Sequence, residues 1–244
     1  MSTGPVSAGT RLQDAVLRPI REGHAFESTI EQLAGAIRLG VFARGDQLPP
    51  ERELAERLGV SRMTLREAIG ALRESGLVTT RRGRGGGTVV VYEPAQPGAA
   101  DGPVRRGADL ADLLTFRRVV EPGAAQVAAG RPLTADQRAW LAASLREVRD
   151  AADPASHRVA DSRLHLAIAT LSGSPMLIEA VTRAQAALHE LLAAIPVLPL
   201  NIAHSGEQHE AVVAAVLAGD GPAARAAMEE HCDATSALLR GLLG

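Results

Sequence analysis

Residues 48–90 read LPPERELAERLGVSRMTLREAIGALRESGLVTTRRGRGGGTVV, and this stretch decides the fold of the N-terminal third of the chain. Leu54 and Leu58 share one face of a short amphipathic helix, and Gly59 is suited to end it in the left-handed conformation. Ser61 is placed to cap the N-terminus of the next helix. Two helices joined by so short a turn predict a helix-turn-helix.

On both sides of these helices the pattern continues in a way that completes a winged domain. Residues 77–80 (LVTT) and 88–91 (TVVV) are two β-prone runs separated by the basic, glycine-rich segment 81–87, which predicts a hairpin with a flexible tip. Upstream, apolar residues at helical spacing over 26–37 predict a first amphipathic helix that stops before Gly40.

The rest of the chain predicts a mainly α protein: an N-terminal winged helix-turn-helix with a small β-hairpin, followed by an all-α antiparallel bundle. We expect a flexible arm over 1–24, a DNA-binding domain over 25–92, a linker rich in Pro and Gly over 93–108, and a helical domain over 109–244. The predicted helices of the last domain run near 109–130, 134–151, 155–172, 175–195, 202–218 and 221–243.

Composition narrows the function. The 244 residues carry a net charge of −2, which argues against a general polyanion binder, and no lysine, so any nucleic-acid surface must be local and built from arginine. No apolar stretch is long enough to cross a bilayer, and no signal-peptide pattern opens the chain, so we expect a cytoplasmic protein without a membrane partner. The single Cys232 excludes an internal disulfide and zinc sites that need several cysteines.

The start of the third predicted helix carries the candidate DNA-reading residues. Arg62 and Arg66 lie four residues apart, so their like charges project from one face and favour an anion between them, such as a phosphate or a guanine edge. Met63 and Thr64 complete the exposed N-terminal turn, the part of a recognition helix that reaches base edges. Arg52 lies in the first turn of the preceding helix, where its positive charge opposes the helix dipole. A neighbouring phosphate would compensate this unfavourable interaction.

The hairpin tip is the second candidate contact. Its glycines allow the backbone to approach a sugar-phosphate chain closely, and Arg81, Arg82 and Arg84 supply charge for a minor groove. Each of these features alone is more typical of a solvated surface; their order along the chain is far more specific.

In that order, residues 26–91 resemble the winged helix-turn-helix of the GntR family of bacterial regulators. The resemblance implies operator DNA as a partner. Pro50 replaces a serine frequent at that position, which should alter only helix capping, and the glycines at 85–87 lengthen the wing tip. The positions that match the family's DNA contacts are Arg52, Arg62, Arg66 and Gly83, with Thr64 and Arg84 as neighbours.

A second constellation lies in the helical domain. Asp161 and His165 are four residues apart on one predicted helix and point the same way, while His209 and His231 lie on two later helices. One carboxylate and three imidazoles directed into a bundle would form a transition-metal site. The alternative is that these are separate surface or capped residues, the ordinary interpretation of a lone histidine. We retain it for the remaining histidines, His24, His157, His189 and His204.

The segments DLLTFRRVVEPGAAQVAA (112–129), DSRLHLAIATLSGSPML (161–177) and EQHEAVVAAVLAGDGPAARAAMEEH (207–231) resemble the FCD effector domain of the FadR subfamily, a resemblance that extends over 109–244. It implies a divalent transition metal, zinc with nickel or manganese as alternatives, and a small organic acid as effector. Arg117 matches an arginine that faces a carboxylate ligand. The implied metal ligands are Asp161, His165, His209 and His231.

Together these patterns predict a homodimeric, ligand-responsive transcription regulator, a repressor released from a short palindromic operator by a small carboxylate. Two alternatives remain: a metal-dependent enzyme, because three histidines and an aspartate around a metal can activate water, and an architectural DNA-binding dimer whose metal is purely structural. Cys232 follows His231 directly and points about 100° away from it on a helix, so we expect a buried structural thiol rather than a further ligand.

Overall fold

A computed structural model describes residues 8–20, 25–81, 86–93, 108–195 and 199–243. The chain divides into two compact units, Met1–Pro94 and Ala95–Gly244. Within the described residues no helix is both long and apolar enough to span a bilayer.

The first unit is the predicted winged helix-turn-helix. Helices α2 and α4 pack against each other, and the two strands form an antiparallel hairpin in which Val78 lies opposite Val90. Both residues are buried, so the hairpin contributes one face to the core. The elements are α1 (Ala8–Val16), α2 (Ala25–Arg38), α3 (Glu51–Leu58), α4 (Arg62–Glu74), β1 (Val78–Arg81) and β2 (Gly87–Val90).

The turn between α3 and α4 has the predicted chemistry. Gly59 follows α3 with φ 65°, a left-handed conformation that costs glycine little. The Ser61 hydroxyl accepts a hydrogen bond from the backbone N–H of Thr64 at 3.0 Å, which satisfies one of the free donors at the start of α4. Pro50 precedes α3 without any side-chain cap, in agreement with the prediction that its effect is on capping.

The sequence did not reveal a third segment that extends the hairpin. Gln47 forms an isolated antiparallel bridge to Val89, and the Leu48 N–H donates to the Thr88 carbonyl at 2.8 Å. Backbone hydrogen bonds therefore connect the loop before α3 to β2 and hold the wing against the helix-turn-helix.

The expectation of a flexible arm over 1–24 is wrong for its described part. Residues 8–16 form α1, and Leu12, Val16 and Leu17 are buried. The Ile20 N–H donates to the Leu58 carbonyl at the end of α3 at 2.8 Å. Helix α1 packs on α2, and Asp14 pairs with Arg57 of α3 at 2.6 Å, so the few apolar residues of this segment are sufficient to fold it.

The second unit is the predicted all-α bundle. Its best packed pair is α5 with α10, and α7 is buried over most of its length. One part of the core is a leucine-rich cluster from α5, α8 and α10 that includes Leu114, Leu188 and Leu239. The helices are α5 (Ala108–Ala129), α6 (Ala135–Arg149), α7 (Pro154–Leu171), α8 (Pro175–Ala193), α9 (Pro199–Ala218) and α10 (Gly221–Leu243).

Candidate functional site

Three imidazoles meet inside the second unit, each from a different helix. His165 of α7, His209 of α9 and His231 of α10 are 2%, 0% and 3% exposed. Each offers a ring nitrogen, and these nitrogens all lie within 4.8 Å of one another. The structure therefore brings together the three histidines that the sequence selected.

Neighbouring side chains orient two of these rings. Nδ1 of His165 lies 2.9 Å from Oε2 of Glu121, and Nδ1 of His231 lies 3.3 Å from Oε1 of Gln208. An oxygen acceptor beside Nδ1 favours a proton on that nitrogen, which leaves Nε2 with a free lone pair. The Nε2 atoms of His165 and His209 stand 3.3 Å apart.

Asp161 lies beside this cluster. Its Oδ1 is 3.3 Å from Nε2 of His209, although the tight group itself comprises the three histidines. Two donors bound to one tetrahedral zinc ion at 2.0–2.1 Å stand about 3.3 Å apart. The spacings of His209 to His165 and of His209 to Asp161 thus suit donors that share a small divalent cation.

The protonation state of the imidazoles also suits a cation. Burial lowers the pKa of His209 to about 4 against the opposing charge of Asp161, and burial followed by the neighbouring His209 and Arg117 lowers the pKa of His231 well below its usual value. Both rings are therefore neutral at pH 7 and can donate an electron pair to a metal.

Glu121 of α5 connects this cluster to Arg117, and the sequence analysis missed it. Oε1 of Glu121 lies 3.2 Å from Nε of Arg117 and accepts a hydrogen bond from Nε2 of Gln185 at 2.7 Å. Burial alone would raise the pKa of Glu121, but the charges of Arg117 and His165 and hydrogen bonds lower it to about 2. The available signal was its position one helical turn after Arg117.

Arg117 is 1% exposed, yet its Nη1 has no hydrogen-bond partner among the described residues. The side chain lines a cavity of about 80 Å³ that Asp161 and His231 also line. A buried guanidinium N–H without a partner is costly, so a bound anion here would gain from it. The other residues that line the cavity are Pro154, His157, Arg158, Leu188, Leu192, Ile195, Asn201, Ile202, Ser205, Thr235 and Leu238.

Cys232 is a buried free thiol, as predicted, with Sγ 3.8 Å from Oε2 of Glu121. Burial, reinforced by the charge of Glu121, raises its pKa to about 12, so the thiolate that a metal requires is not formed at pH 7. Of the other histidines, His204 is exposed and His189 is buried, but His157 lines the cavity, which its sequence context did not indicate. His24 lies outside the described residues.

The candidate DNA-reading arginines are exposed in the first unit. Arg52 of α3 and Arg66 of α4 have 75% and 66% of their side chains exposed, and Arg62 is exposed at the first position of α4. Nε of Arg66 donates to Oε2 of Glu51 at 2.7 Å. The anion that the pair Arg62 and Arg66 seemed to require is thus supplied in part by the protein itself.

Thr64 is half-buried, and its hydroxyl lies 2.8 Å from that of Ser61, so it helps to cap α4. Met63, beside it, is 72% exposed. Gly83 and Arg84 of the wing tip lie outside the described residues.

A winged helix-turn-helix with exposed arginines, followed by an all-helical unit that encloses a cavity lined by charged, imidazole and apolar side chains, is the architecture of a two-domain DNA-binding regulator. Family models agree: residues 26–90 match the bacterial regulatory proteins of the gntR family, and residues 112–234 match the FCD domain. The chain belongs to the GntR family of transcription regulators, in its FCD-containing branch. The family groups regulators, so the enzyme alternative is set aside.

Individual relatives agree. The chain is 35% identical to the regulator RmpR of Mycobacterium gastri over 72% of its own length and 65% of that protein's, which is just under two-thirds. It is 34% identical to the L-lactate dehydrogenase operon regulatory protein of Escherichia coli, covering 77% of this chain and 75% of that one. The solved structure of E. coli McbR/YncC, 20% identical, has the same fold with a TM-score of 0.56 over 90% of this chain and 99% of that one.

Proposed function

We propose that this protein is a homodimeric repressor that leaves a short palindromic operator when a small carboxylate binds in its C-terminal unit. One observation supports the sensing role: Arg117, whose buried Nη1 has no hydrogen-bond partner among the described residues, lines the same cavity as His231 of the histidine cluster and Asp161. A carboxylate placed there would meet a guanidinium fork on one side and the cluster on the other. Operator DNA would be read by Arg52, Arg62 and Arg66 together with the wing residues Gly83 and Arg84.

The cluster fits a divalent transition metal, with zinc as the first choice and nickel or manganese as alternatives. His165, His209, His231 and Asp161 would hold it, because the ring nitrogens of the three histidines converge, Oδ1 of Asp161 lies 3.3 Å from Nε2 of His209, and the rings of His209 and His231 are neutral. A bound metal would supply a Lewis-acidic position for a carboxylate oxygen. Glu121 would hold the His165 ring in place, as acceptors behind metal-binding imidazoles commonly do.

The cavity limits the size of the effector. Its volume of about 80 Å³ is a few times the roughly 30 Å³ that one water occupies in the liquid, which suits an acid of a few carbon atoms better than a long acyl chain. One relative is named as the regulator of an L-lactate dehydrogenase operon. Lactate, a small hydroxycarboxylate, falls within this size class.

An exposed apolar face on α5 supports the homodimer. Phe116, Val119 and Val127 are 37%, 64% and 43% exposed and lie on the outward side of a helix whose other side is in the core. Such a stripe is unfavourable in water unless a second copy covers it. A dimer would also present two recognition helices to a palindromic operator.

The dimer can be tested by size-exclusion chromatography with light scattering. Val119→Arg should convert the dimer into a folded monomer at micromolar concentration and weaken operator binding. Ala139→Arg, on an exposed position of α6, introduces the same charge elsewhere and should leave the dimer intact. A wild-type protein that is monomeric both free and on DNA would contradict the proposal.

The sensing role is tested by operator affinity in the presence of small carboxylates, measured by fluorescence anisotropy on an operator selected from random duplexes. In the zinc-loaded protein an effective acid should weaken operator binding, and a hundredfold change corresponds to about 2.7 kcal/mol of coupling between the sites. Zinc removal or His165→Ala should abolish the response and retain effector-free DNA binding. If the zinc-loaded protein, the zinc-free protein and His165→Ala respond identically to the acid, the metal does not anchor the effector. If none of them responds, the architectural alternative is favoured.

A further inference from the structure

The first turn of α4 carries an apolar side chain that the operator contacts proposed above do not use. Met63 is the second residue of this helix, directly after Arg62. It is 72% exposed, more than any other large apolar side chain of the described part of the first unit. The N-terminal turn of a recognition helix is the part that reaches base edges, so Met63 lies where DNA would meet the protein.

Met63 is directed away from the core of its own domain. The side chains that α4 buries are those of Leu65, Ala68, Ile69 and Leu72. Each residue of an α-helix is turned by about 100° from the one before it, which places Met63 about 170° from the mean direction of these four. The residue therefore lies at the centre of the outward face of α4, the face that a docked DNA groove would meet first.

The polar group of the neighbouring Thr64 is already engaged. Its hydroxyl lies 2.8 Å from the Ser61 hydroxyl, and its N–H donates to the same oxygen, so the residue contributes to the cap of α4. Arg62 and Arg66, one residue before Met63 and three residues after it, are exposed on either side. Met63 is thus the uncharged side chain of this turn that is available to contact a base.

The charges along the outward face determine which end of α4 can approach DNA. Glu67 and Glu74 follow Met63 by about one and three turns on the same face, and both are exposed. Their carboxylates would repel phosphates, whereas Arg62 and Arg66 at the start of the helix would attract them. DNA is therefore expected to come closest at the end of α4 that carries Met63.

The major groove offers an apolar side chain one favourable contact. The C5 methyl of thymine is the apolar group of the base edges there, and the other groups are hydrogen-bond donors and acceptors. A side chain that covers a donor or an acceptor without bonding to it removes that group from water at a cost, whereas contact with a methyl group gains from the burial of both surfaces. The unbranched methionine side chain can adapt its shape to reach such a group.

We propose that Met63 is a specificity-determining residue that reads the C5 methyl of a thymine in the operator. This inference rests on the proposed binding of operator DNA by α4. The thioether would contact the methyl group in the major groove, with Arg62 and Arg66 on either side of it. The operator would therefore carry a thymine next to the base that these arginines contact.

Deoxyuridine isolates the methyl group, because it lacks only the C5 methyl of thymidine and pairs with adenine in the same way. An operator is selected from random duplexes by the full-length protein, and each thymine is replaced singly by deoxyuridine. Fluorescence anisotropy measures the affinity of each duplex. Burial of one methyl-sized group corresponds to a roughly fourfold change in affinity, which is the loss expected at the thymine that Met63 contacts. Met63→Ala should bind the thymine and uracil duplexes equally.

Two further variants complete the experiment. Met176→Ala, on a methionine of α8 that is 81% exposed, removes the same side chain from the second unit and should keep the fourfold preference for thymine. Met63→Leu keeps an apolar contact at the same position and should retain most of the preference. Both variants of Met63 should melt at the wild-type temperature, because the side chain is exposed.

The outcomes separate this inference from the proposed function. A wild-type protein that tolerates deoxyuridine at every thymine overturns the role of Met63, and so does a uracil-sensitive position that keeps its full sensitivity in Met63→Ala. Preference for the selected operator over a scrambled duplex would in both cases still support operator binding. If the selection yields no preferred sequence, the inference and the proposed operator are both wrong.

Discussion

In the N-terminal unit Arg52 and Arg66 have 75% and 66% of their side chains exposed, whereas in the C-terminal unit Arg117 is 1% exposed and paired with a buried glutamate. The same residue type thus works in two environments. On the surface, water solvates the guanidinium and the fold does not depend on it. In the interior each charge must be compensated, so function and stability are carried by the same side chains.

The substitution with the largest expected effect on stability is Glu121→Gln. The variant leaves Arg117 charged and buried without its carboxylate, which typically costs about 3–5 kcal/mol of unfolding free energy. Urea denaturation of the metal-free protein measures it. The matched control is Asp233→Asn, which removes the carboxylate 2.7 Å from the adjacent, exposed Arg118 and should change stability little. Equal effects of the two variants would refute the contrast.

Metal binding should also appear as stability, since a ligand that binds only the folded state raises its unfolding free energy. Zinc at a hundred times its dissociation constant should add about 2.7 kcal/mol to the wild-type protein. His165→Ala should remove this increment, and His204→Ala, on an exposed residue of α9, should not. Thermal melts with and without zinc measure both. An unchanged increment in His165→Ala would exclude that residue as a ligand.

For the exposed arginines of the N-terminal unit we expect the opposite result: a substitution changes operator affinity and leaves the stability of the fold unchanged. Arg62→Ala should cost about 1–3 kcal/mol of operator binding if the side chain reads a guanine, with relaxed preference at that base. Its melting temperature should match that of the wild-type protein, because Arg62 is exposed. Arg73→Ala, at the other end of α4, should leave operator affinity nearly unchanged, and a similar loss in both variants would contradict the assignment.

The smallest expected effect comes from a surface charge in the C-terminal unit. Hydrogen bonds from Ser156, chiefly from its hydroxyl, lower the pKa of Asp153, the N-cap of α7, below 3.8. A depressed pKa means that the carboxylate stabilises the fold above its unfolded-state value and loses this effect as the pH falls through the folded-state value. Asp153→Asn should therefore melt slightly below the wild-type protein at pH 7, and the difference should shrink as the pH falls through the folded-state pKa of Asp153. A constant difference would show that charge is not involved.

The local features of this fold were predictable. Gly59, Ser61 and the apolar stripe of α4 depend on neighbours within a few residues, so the turn, the cap and the helix bounds followed from the sequence. The same holds for the helices of the second unit, where proline, glycine and capping residues mark the ends. Asp161, His165, His209 and His231 were selected by helical spacing and family resemblance, and the structure gathers the three histidines with Asp161 beside them.

Features that depend on distant parts of the chain were missed. Helix α1 folds because Leu12 and Leu17 are buried against the rest of the first unit. Gln47 pairs with Val89 of β2, some 40 residues further along the chain. Glu121 was missed for a similar reason: its partners, His165 and Gln185, come from other helices. Sequence spacing along one helix cannot show which residue of another helix will face it.

The ion pair between Arg66 and Glu51 bears on how the protein would discriminate between its operator and random DNA sequence. In the proposed DNA-reading role, a DNA group that binds Nε of Arg66 would displace the Glu51 carboxylate held at 2.7 Å, so that bond would contribute only the difference between two anions. A lone phosphate gains little in that exchange, whereas a guanine edge that accepts both arms of the fork gains more. The ion pair would thereby weaken binding to random DNA sequence more than binding to a matching operator.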